Sequence, residues 1–212
     1  MRVTHVDILV EDESTEAALR ELVPKIAPGL SFQVYRFGSK NRLLKKLKDR
    51  LTGYASILQP GQYVMVLVDR DSDDCRRLKA RLEHAAKQAG LGTKSMASSG
   101  GWRVVNRIAV EELEAWFFGD WEAVLQAYPR VDRNVPAKRK YRDPDAIRGG
   151  TAEALERCLK AAGYFPTGLP KIEVAREIAQ HMEPTRNKSR SFQLFCRTIE
   201  ELASRGRGSR ES

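Results

Sequence analysis

Three groups of acidic side chains stand where apolar runs end. Glu11, Asp12 and Glu13 follow "VTHVDILV", Asp69, Asp71, Asp73 and Asp74 fall at or just after the end of "VMVLVD", and Glu111, Glu112 and Glu114 follow "WRVVNRIAV". Two carboxylates about 5 Å apart repel by roughly 3 kcal/mol at an effective dielectric near 20. Such groups either turn apart into water or gather round something positive. Mg²⁺ and Mn²⁺ prefer hard oxygen ligands and retain waters, so a few converging carboxylates suffice to hold them. On a strand that continues past its sheet, positions two apart share a face. Asp69 and Asp71 then approach one ion while Arg70 points away. Glu111 and Glu114 share a helix face at a spacing of three. Asp73 is a further candidate ligand, although it and Asp74 have a plainer role open to them at the start of the next helix, where acids favour the dipole.

The elements that must bring these groups together alternate along the chain. Residues 3–10 read as a buried strand, and "STEAALRELVPKIA" as a helix capped by Ser14. Residues 31–37 form a second strand and 39–51 an amphipathic helix with a basic outer face. "QYVMVLVD" is the third strand, "DDCRRLKARLEHAAKQAG" a helix ended by Gly90, and residues 102–110 a fourth strand after a loop with Gly100 and Gly101. Strand and helix in alternation predict a parallel sheet wound with helices, an α/β fold. In such sheets ligands collect beyond the carboxyl ends of the strands, where Glu11 and Asp69 both stand. "EELEAWFFGDWEAVLQAY" follows as helical turns, residues 129–150 as a basic loop, and residues 151–163, 170–182 and 189–203 as three helices. The expected division is an α/β core over 1–118, a helical extension over 119–204, and a tail without regular structure over 205–212.

The chain has 212 residues, 42% of them hydrophobic, and a formal charge of +9. That supports a sizeable core and suits a polyanionic partner beside a cation site. Lys40, Arg42 and Lys45 on the second helix, and Lys138, Arg139, Lys140 and Arg142 in the loop, are candidate phosphate contacts, which position nucleic acid without reading its sequence. A merely solvated basic face is the alternative. Trp102 and Tyr141 are candidates for stacking on bases, but core packing is the commoner fate of aromatics, and Trp116, Phe117 and Phe118 are read as core. Cys75, Cys158 and Cys196 form no CxxC pair and read as ordinary thiols of a reducing compartment. His5, His84 and His181 are scattered, which argues against a zinc site, and His181 reads as a helix-end residue. Asn187, Ser189 and Ser191 suit the start of the last helix. No leader precedes Val3 and no apolar run reaches membrane-spanning length, so a cytoplasmic protein with no membrane partner is expected.

A glutamate after one apolar strand and DxD after a later one resemble the Toprim fold of topoisomerases, bacterial primases and overcoming-lysogenization-defect nucleases. More closely, "ILVEDESTEAALRELVPK", "KNRLLKKLKDRL", "VLVDRDSDDCRRLKARL", "RIAVEELEAWFFGDWEAV" and "YRDPDAIRGGT", in that order, resemble a small Toprim-like bacterial family of unknown function. Its members are often encoded beside AAA- or ABC-type ATPases in defence-associated loci. The resemblance reaches to about Leu202. It implies a Toprim-like Rossmannoid sheet with a helical extension, and Mg²⁺- or Mn²⁺-dependent hydrolysis of nucleic acid, with DNA favoured over RNA. It also implies a role as a defence effector with an ATPase partner, and it is compatible with a homodimer. By motif, Glu11 matches the Toprim glutamate and Asp69 and Asp71 the DxD pair. Glu114 is the further ligand, with Glu111 or Glu112 as alternates, and Lys171 in "PKIEVA" faces the scissile phosphate. Asp12 departs from the glycine that usually follows the glutamate, and Thr15 from an acid often found there. Glu13 and Glu16 are the candidates to compensate.

Three other readings compete. A non-catalytic nucleic-acid-binding or ATPase-partner module would use any metal structurally. "ILVEDES" also resembles a response-regulator receiver, but "VDRDSDD" lacks the Met-Pro turn that follows a receiver's phosphoacceptor. A DxD phosphatase would use Asp69 as nucleophile and Asp71 as acid, yet that family carries its pair on the first strand.

Overall fold

In the strand Gln62–Asp69, Tyr63, Met65 and Leu67 pack on one side of the sheet while Val64, Val66 and Val68 pack on the other. A strand that is apolar on both faces must be central, with helices covering each side. The computed structural model describes residues 3–97 and 101–205. Four parallel strands, β1 (His5–Val10), β2 (Phe32–Arg36), β3 (Gln62–Asp69) and β4 (Val104–Ala109), lie in the order β2-β1-β3-β4. The chain winds outward in one direction from β1 to β2 and in the other from β3 to β4. The boundary between β1 and β3 is therefore the switch point at which a crevice opens beyond the carboxyl ends. Register pairs Leu9 with Val66 and Asp69 with Ala109, so the residues following β1, β3 and β4 leave the sheet side by side.

Two helices cover one face. Helix α2 (Lys40–Ile57) buries Leu43, Leu47, Leu51 and Tyr54, and α3 (Cys75–Gln88) buries Leu78, Leu82 and Ala86, each at near-helical spacing against the same apolar cluster. The other face carries α1 (Glu13–Ile26) together with α4 (Glu114–Gly119), α5 (Trp121–Ala127), α6 (Thr151–Ala161), α7 (Lys171–His181) and α8 (Arg190–Ser204). Helix α7 packs along α1, and the buried residues of β1, α1 and α4 to α8 form one continuous core. The helical extension thus covers this face of the sheet.

Several boundaries differ from those read in the sequence. Asp12, not Ser14, caps α1, accepting from the Thr15 backbone N–H at 2.8 Å, and Ser14 is buried in the first turn. Helix α2 runs on to Ile57 because Tyr54, beyond Gly53, is drawn into the core. The helical turns after β4 split at the buried Asp120, whose carboxylate accepts from Arg186 Nε at 2.6 Å and from the Glu183 N–H at 2.8 Å. Trp102 and Tyr141 are buried and unavailable for base stacking, while Trp116, Phe117 and Phe118 lie in the core. Ser189 caps α8 as its sequence context suggests. Arg205, expected in the tail, instead lays its guanidinium 4.5 Å from the centre of the Trp102 ring. Gly100 and tail residues 206–212 lie outside the described residues.

Gly119 ends α4 where Asn187 crosses it. Asn187 Nδ2 donates to the Trp116 carbonyl at 2.7 Å, and its Oδ1 accepts from the Ser189 N–H at 2.9 Å, so the side chain has no room to yield. A Cβ at position 119 would lie 2.9 Å from the Ser189 nitrogen and closer still to Asn187 Oδ1. Gly119→Ala is expected to destabilise the fold by about 3 kcal/mol. Calorimetry would read this as a Tm lowered by roughly 10 °C; an unchanged Tm would show that the crossing is loose.

Candidate functional site

Carboxylates gather beyond the carboxyl ends of β1 and β3, where the switch-point rule expects a ligand crevice. Glu11, the first residue after β1, accepts from the Asp69 backbone N–H at 2.7 Å, so residues from two strands meet there. Burial pushes the Glu11 carboxyl up to about 7, helped by the charges of Asp71 and Asp12 and opposed by the Asp69 N–H and the Lys40 ammonium. Burial also holds Asp69 well above the usual carboxylate range, reinforced by the negative charges of Glu11, Glu114, Asp12 and Asp71. Glu114 is buried in the first turn of α4. Its carboxyl is likewise pushed up to about 7 by burial, with Glu112 and Asp12 adding to the rise and the Lys171 ammonium countering it. Glu11, Asp69 and Glu114 thus share a region in which burial disfavours their charged forms, Asp12 is engaged in the α1 cap, and exposed Lys171 at the head of α7 acts on Glu114 in the opposite sense. Raised carboxyl pKa values in a crevice are the usual mark of a functional site.

The remaining acids have partners of their own. The chain does not continue extended past β3. Asp71 adopts a left-handed backbone with φ of 49°, which turns its carboxylate to Lys40 Nζ at 3.0 Å, and Asp73 reaches the same ammonium at 2.6 Å. Lys40, expected on the outer basic face of α2, therefore turns inward onto the acidic loop. Its hydrogen bonds to Asp73 and Asp71 outweigh its burial and hold the ammonium above its usual range. Arg70 does point the other way, into an ion pair with Glu111. Glu111 shares no helix face with Glu114, because α4 begins only at Glu114 and Glu111 lies in the connection from β4. Glu112 accepts from the Thr151 N–H at 2.8 Å, the Thr151 hydroxyl at 2.9 Å and the Ala152 N–H at 2.9 Å, and so caps α6. Asp74 caps α3 through the Arg77 N–H. Glu13 pairs with Arg36, and Glu16 pairs with Arg20 and Arg36.

The donors suit a hard divalent ion in kind, being carboxyl oxygens at the ends of parallel strands. In their present positions they do not enclose one: among the described residues no three His, Cys, Asp or Glu side chains converge to hold a metal. Glu11 Oε1 is engaged with the Asp69 N–H, so Oε2 is the oxygen it could offer an ion.

The basic residues lie on two separate elements, α2 and the loop before α6. Arg42 and Lys45 are exposed on α2. Lys138, Arg139 and Lys140, with Arg148, line a groove of about 680 Å³, and Arg142 is exposed beside them in the same loop. Asp132 engages Lys138 at 2.6 Å, and Lys140 lies 4.6 Å from the centre of the Tyr141 ring. This loop is pinned toward its C-terminal end. Glu112 holds the start of α6, and Asp145 accepts from the Arg190 N–H at 2.7 Å and the Ser191 N–H at 3.0 Å at the head of α8. The Glu112 cap ties it to the segment that carries Glu114.

A four-stranded all-parallel sheet with acids at its switch point defines an α/β protein whose crevice lies at the carboxyl end of the strands. Over residues 10–200 the chain matches the family described as a domain of unknown function, DUF4276, and it belongs to that family. No curated protein and no solved structure matches the chain. Among the described residues no helix is long and apolar enough to cross a membrane. The three cysteines are free thiols.

Proposed function

We propose that the crevice binds Mg²⁺ or Mn²⁺ and that the protein hydrolyses phosphodiester bonds in nucleic acid. The observation that carries this reading is the meeting of Glu11 and Asp69 from separate strands, beside buried Glu114, with carboxyls held far above their ordinary pKa. A raised pKa records the cost of holding these carboxyls ionised, a cost that a bound cation would offset. The resemblance of Glu11 and the Asp69/Asp71 pair to Toprim enzymes, and of the later acidic segment to overcoming-lysogenization-defect nucleases, supports the same chemistry.

A bound divalent ion would polarise a non-bridging phosphate oxygen and acidify an attacking water. Glu11, Asp69 and Glu114 would hold it. Glu11, half-buried at the mouth, is also placed to orient the water and take its proton. Lys171 is the exposed cation of the site, suited to offset charge that builds on the phosphate. Lys138, Arg139, Lys140 and Arg142 would hold the backbone of the strand. The resemblance further supports a defence effector gated by an ATPase partner. A rate unchanged by adding the ATPase encoded beside the protein would remove that part.

One observation favours a second reading, a nucleic-acid-binding or ATPase-partner module without catalysis. Asp71 and Asp73 are already paired with Lys40, and Glu111 with Arg70. Incubating wild type and Asp69→Asn with Mn²⁺ and supercoiled DNA, single-stranded DNA, or RNA including tRNA separates the two. Cleavage by wild type alone supports the hydrolase. Retained binding with no difference in cleavage between the two proteins supports the module.

A further inference from the structure

We propose that the cavity between α3, β4 and α8 binds a small organic carboxylate, its anionic end held by Arg107 and Arg190 and its apolar body lying on Ile108, Val110 and Leu194. Glu11, Asp69 and Glu114 do not line this cavity, which is separate from the crevice acids.

The cavity has a volume of about 330 Å³, near the lower end for small-molecule sites. It lies along β4, the last strand of the sheet. There the Asn106 carbonyl accepts from Lys79 Nζ at 2.8 Å and from Arg107 Nη1 at 2.9 Å, so two cations occupy the place an added strand would pair with. Lys79 pairs with Glu83 at 2.9 Å, and Glu83 also accepts from Thr93, Ser95 and Asn106. Arg107 has no such counter-ion. Its Nε donates to Thr198 Oγ1 at 2.7 Å, but among the described residues no carboxylate pairs with this half-buried guanidinium. Exposed Arg190, at the head of α8, likewise pairs with none among them. Asp145 also lines the cavity, but its carboxylate is engaged by the Arg190 and Ser191 N–H groups and by the Ser189 and Ser191 hydroxyls.

A guanidinium withheld from water without a counter-ion is costly, and a bound anion relieves that cost. Burial, assisted by Arg197 and opposed by Glu201 and Glu83, lowers the Arg107 pKa from its usual value. The planar fork of arginine suits a carboxylate held by two parallel bonds. The cavity also contains an unmet polar group. Asn106 is 1% exposed, its Nδ2 donates to Glu83 at 2.9 Å, and its buried Oδ1 has no hydrogen-bond partner. Such an acceptor gives a hydroxyl or amino group of a ligand a place to donate. The rest of the lining favours an apolar body. Ile108 and Val110 are partly buried, and Leu194 is 44% exposed. Inorganic phosphate has no part for these three side chains to cover.

Cys75, exposed at the start of α3 and part of the lining, supplies a readout that needs no variant. Iodoacetate and iodoacetamide alkylate the same thiolate and differ by one negative charge. The ratio of their rates at Cys75, divided by that ratio in the urea-unfolded chain, measures the pull of the cavity on an anion. At low salt it is expected to be at least about fivefold above one, and to fall in Arg107→Met and in Arg190→Met. Millimolar benzoate should slow alkylation of Cys75 by iodoacetamide at least about fivefold and raise the Tm, whereas neutral benzamide and inorganic phosphate should do neither. Arg107→Met should abolish the protection by benzoate. Arg190→Met, at an exposed position, gives the same reading if Arg107→Met fails to fold. Equal protection by benzamide would overturn the anionic assignment, and equal protection by phosphate the apolar one. A rate ratio near one with no protection by benzoate would overturn the site altogether.

Discussion

Glu114→Gln is expected to raise the stability of the ion-free protein at pH 8 by about 3 kcal/mol while lowering divalent-ion-dependent cleavage by at least about 100-fold. The two effects have opposite signs and one cause. Burial moves the Glu114 carboxyl from 4.5 to about 7, with Glu112 and Asp12 adding to the rise. An acid whose folded pKa exceeds its unfolded value gives its full stability below the unfolded value. That stability drains away as pH rises from 4.5 through about 7, and at pH 8 the loss is complete. Each pKa unit is worth about 1.4 kcal/mol, which sets the size. Glutamine keeps the shape and has no charge to desolvate, so it escapes the loss. It also removes an anionic ligand from the proposed ion site. Denaturant midpoints at pH 4.5 and pH 8 check the stability arm: the variant should match wild type at the lower pH and exceed it at the higher. Destabilisation of equal size at both would mean that the carboxylate is a structural anchor.

A residue that weakens its own fold and sits in a crevice is one retained for something other than folding. Asp120 makes the contrast. It is more deeply buried than Glu114, but it accepts from Arg186 and the Glu183 N–H, and it staples the α4–α5 junction to the segment before α8. Burial alone therefore does not separate Glu114 from Asp120; Asp120 has the Arg186 guanidinium as an ion-pair partner and, among the described residues, Glu114 has none.

That distinction explains which parts of the site were legible in the chain itself. "QYVMVLVD" coincides with β3 residue for residue, because a run apolar on both faces admits one role in a wound parallel sheet. The approach of Glu11 to Asp69 followed from the switch-point rule and needed no knowledge of side chains. Lys40 was not legible. Within "SKNRLLKKLKDRL" it looks like every other lysine of the basic helix, and what singles it out is a left-handed turn at Asp71, thirty-one residues away, that aims a carboxylate at it. The same holds for the acids after β4. Glu111, Glu112 and Glu114 are alike in sequence, yet one pairs with Arg70, one caps α6 and one is buried in the crevice. The assumed helix face failed because α4 starts at Glu114, after a connection whose path is set by the packing of Leu113 and Trp116 into the core. The Ser14 cap failed for a local reason: both Asp12 and Ser14 suit an N-cap, and the carboxylate two residues earlier reaches the Thr15 N–H first.

The apparent affinity for Mn²⁺ is expected to rise on the order of 100-fold between pH 6 and pH 8. Glu11 and Glu114 each titrate at about 7 in the ion-free protein. A cation must displace their protons, so affinity falls as pH drops through 7. With two such groups, each costing about tenfold between these pH values, the product is about two orders of magnitude. Asp69, which burial also holds well above the usual carboxylate range, can only add to the proton count. Lys40 does not enter, because its ammonium is held above the usual lysine range and stays charged throughout. Carboxylates of ordinary pKa would be ionised across the whole interval and leave the affinity flat, which makes the slope a direct reading of the crevice. Titration calorimetry in two buffers of different ionisation enthalpy gives the protons released per ion at pH 6.5, and Glu114→Gln should release about one fewer than wild type. An affinity that does not change from pH 6 to pH 8 would mean that Mn²⁺ binds at the solvated acids near Asp71 and Asp73. The meeting of Glu11, Asp69 and Glu114 would then need a partner other than a metal ion to account for it.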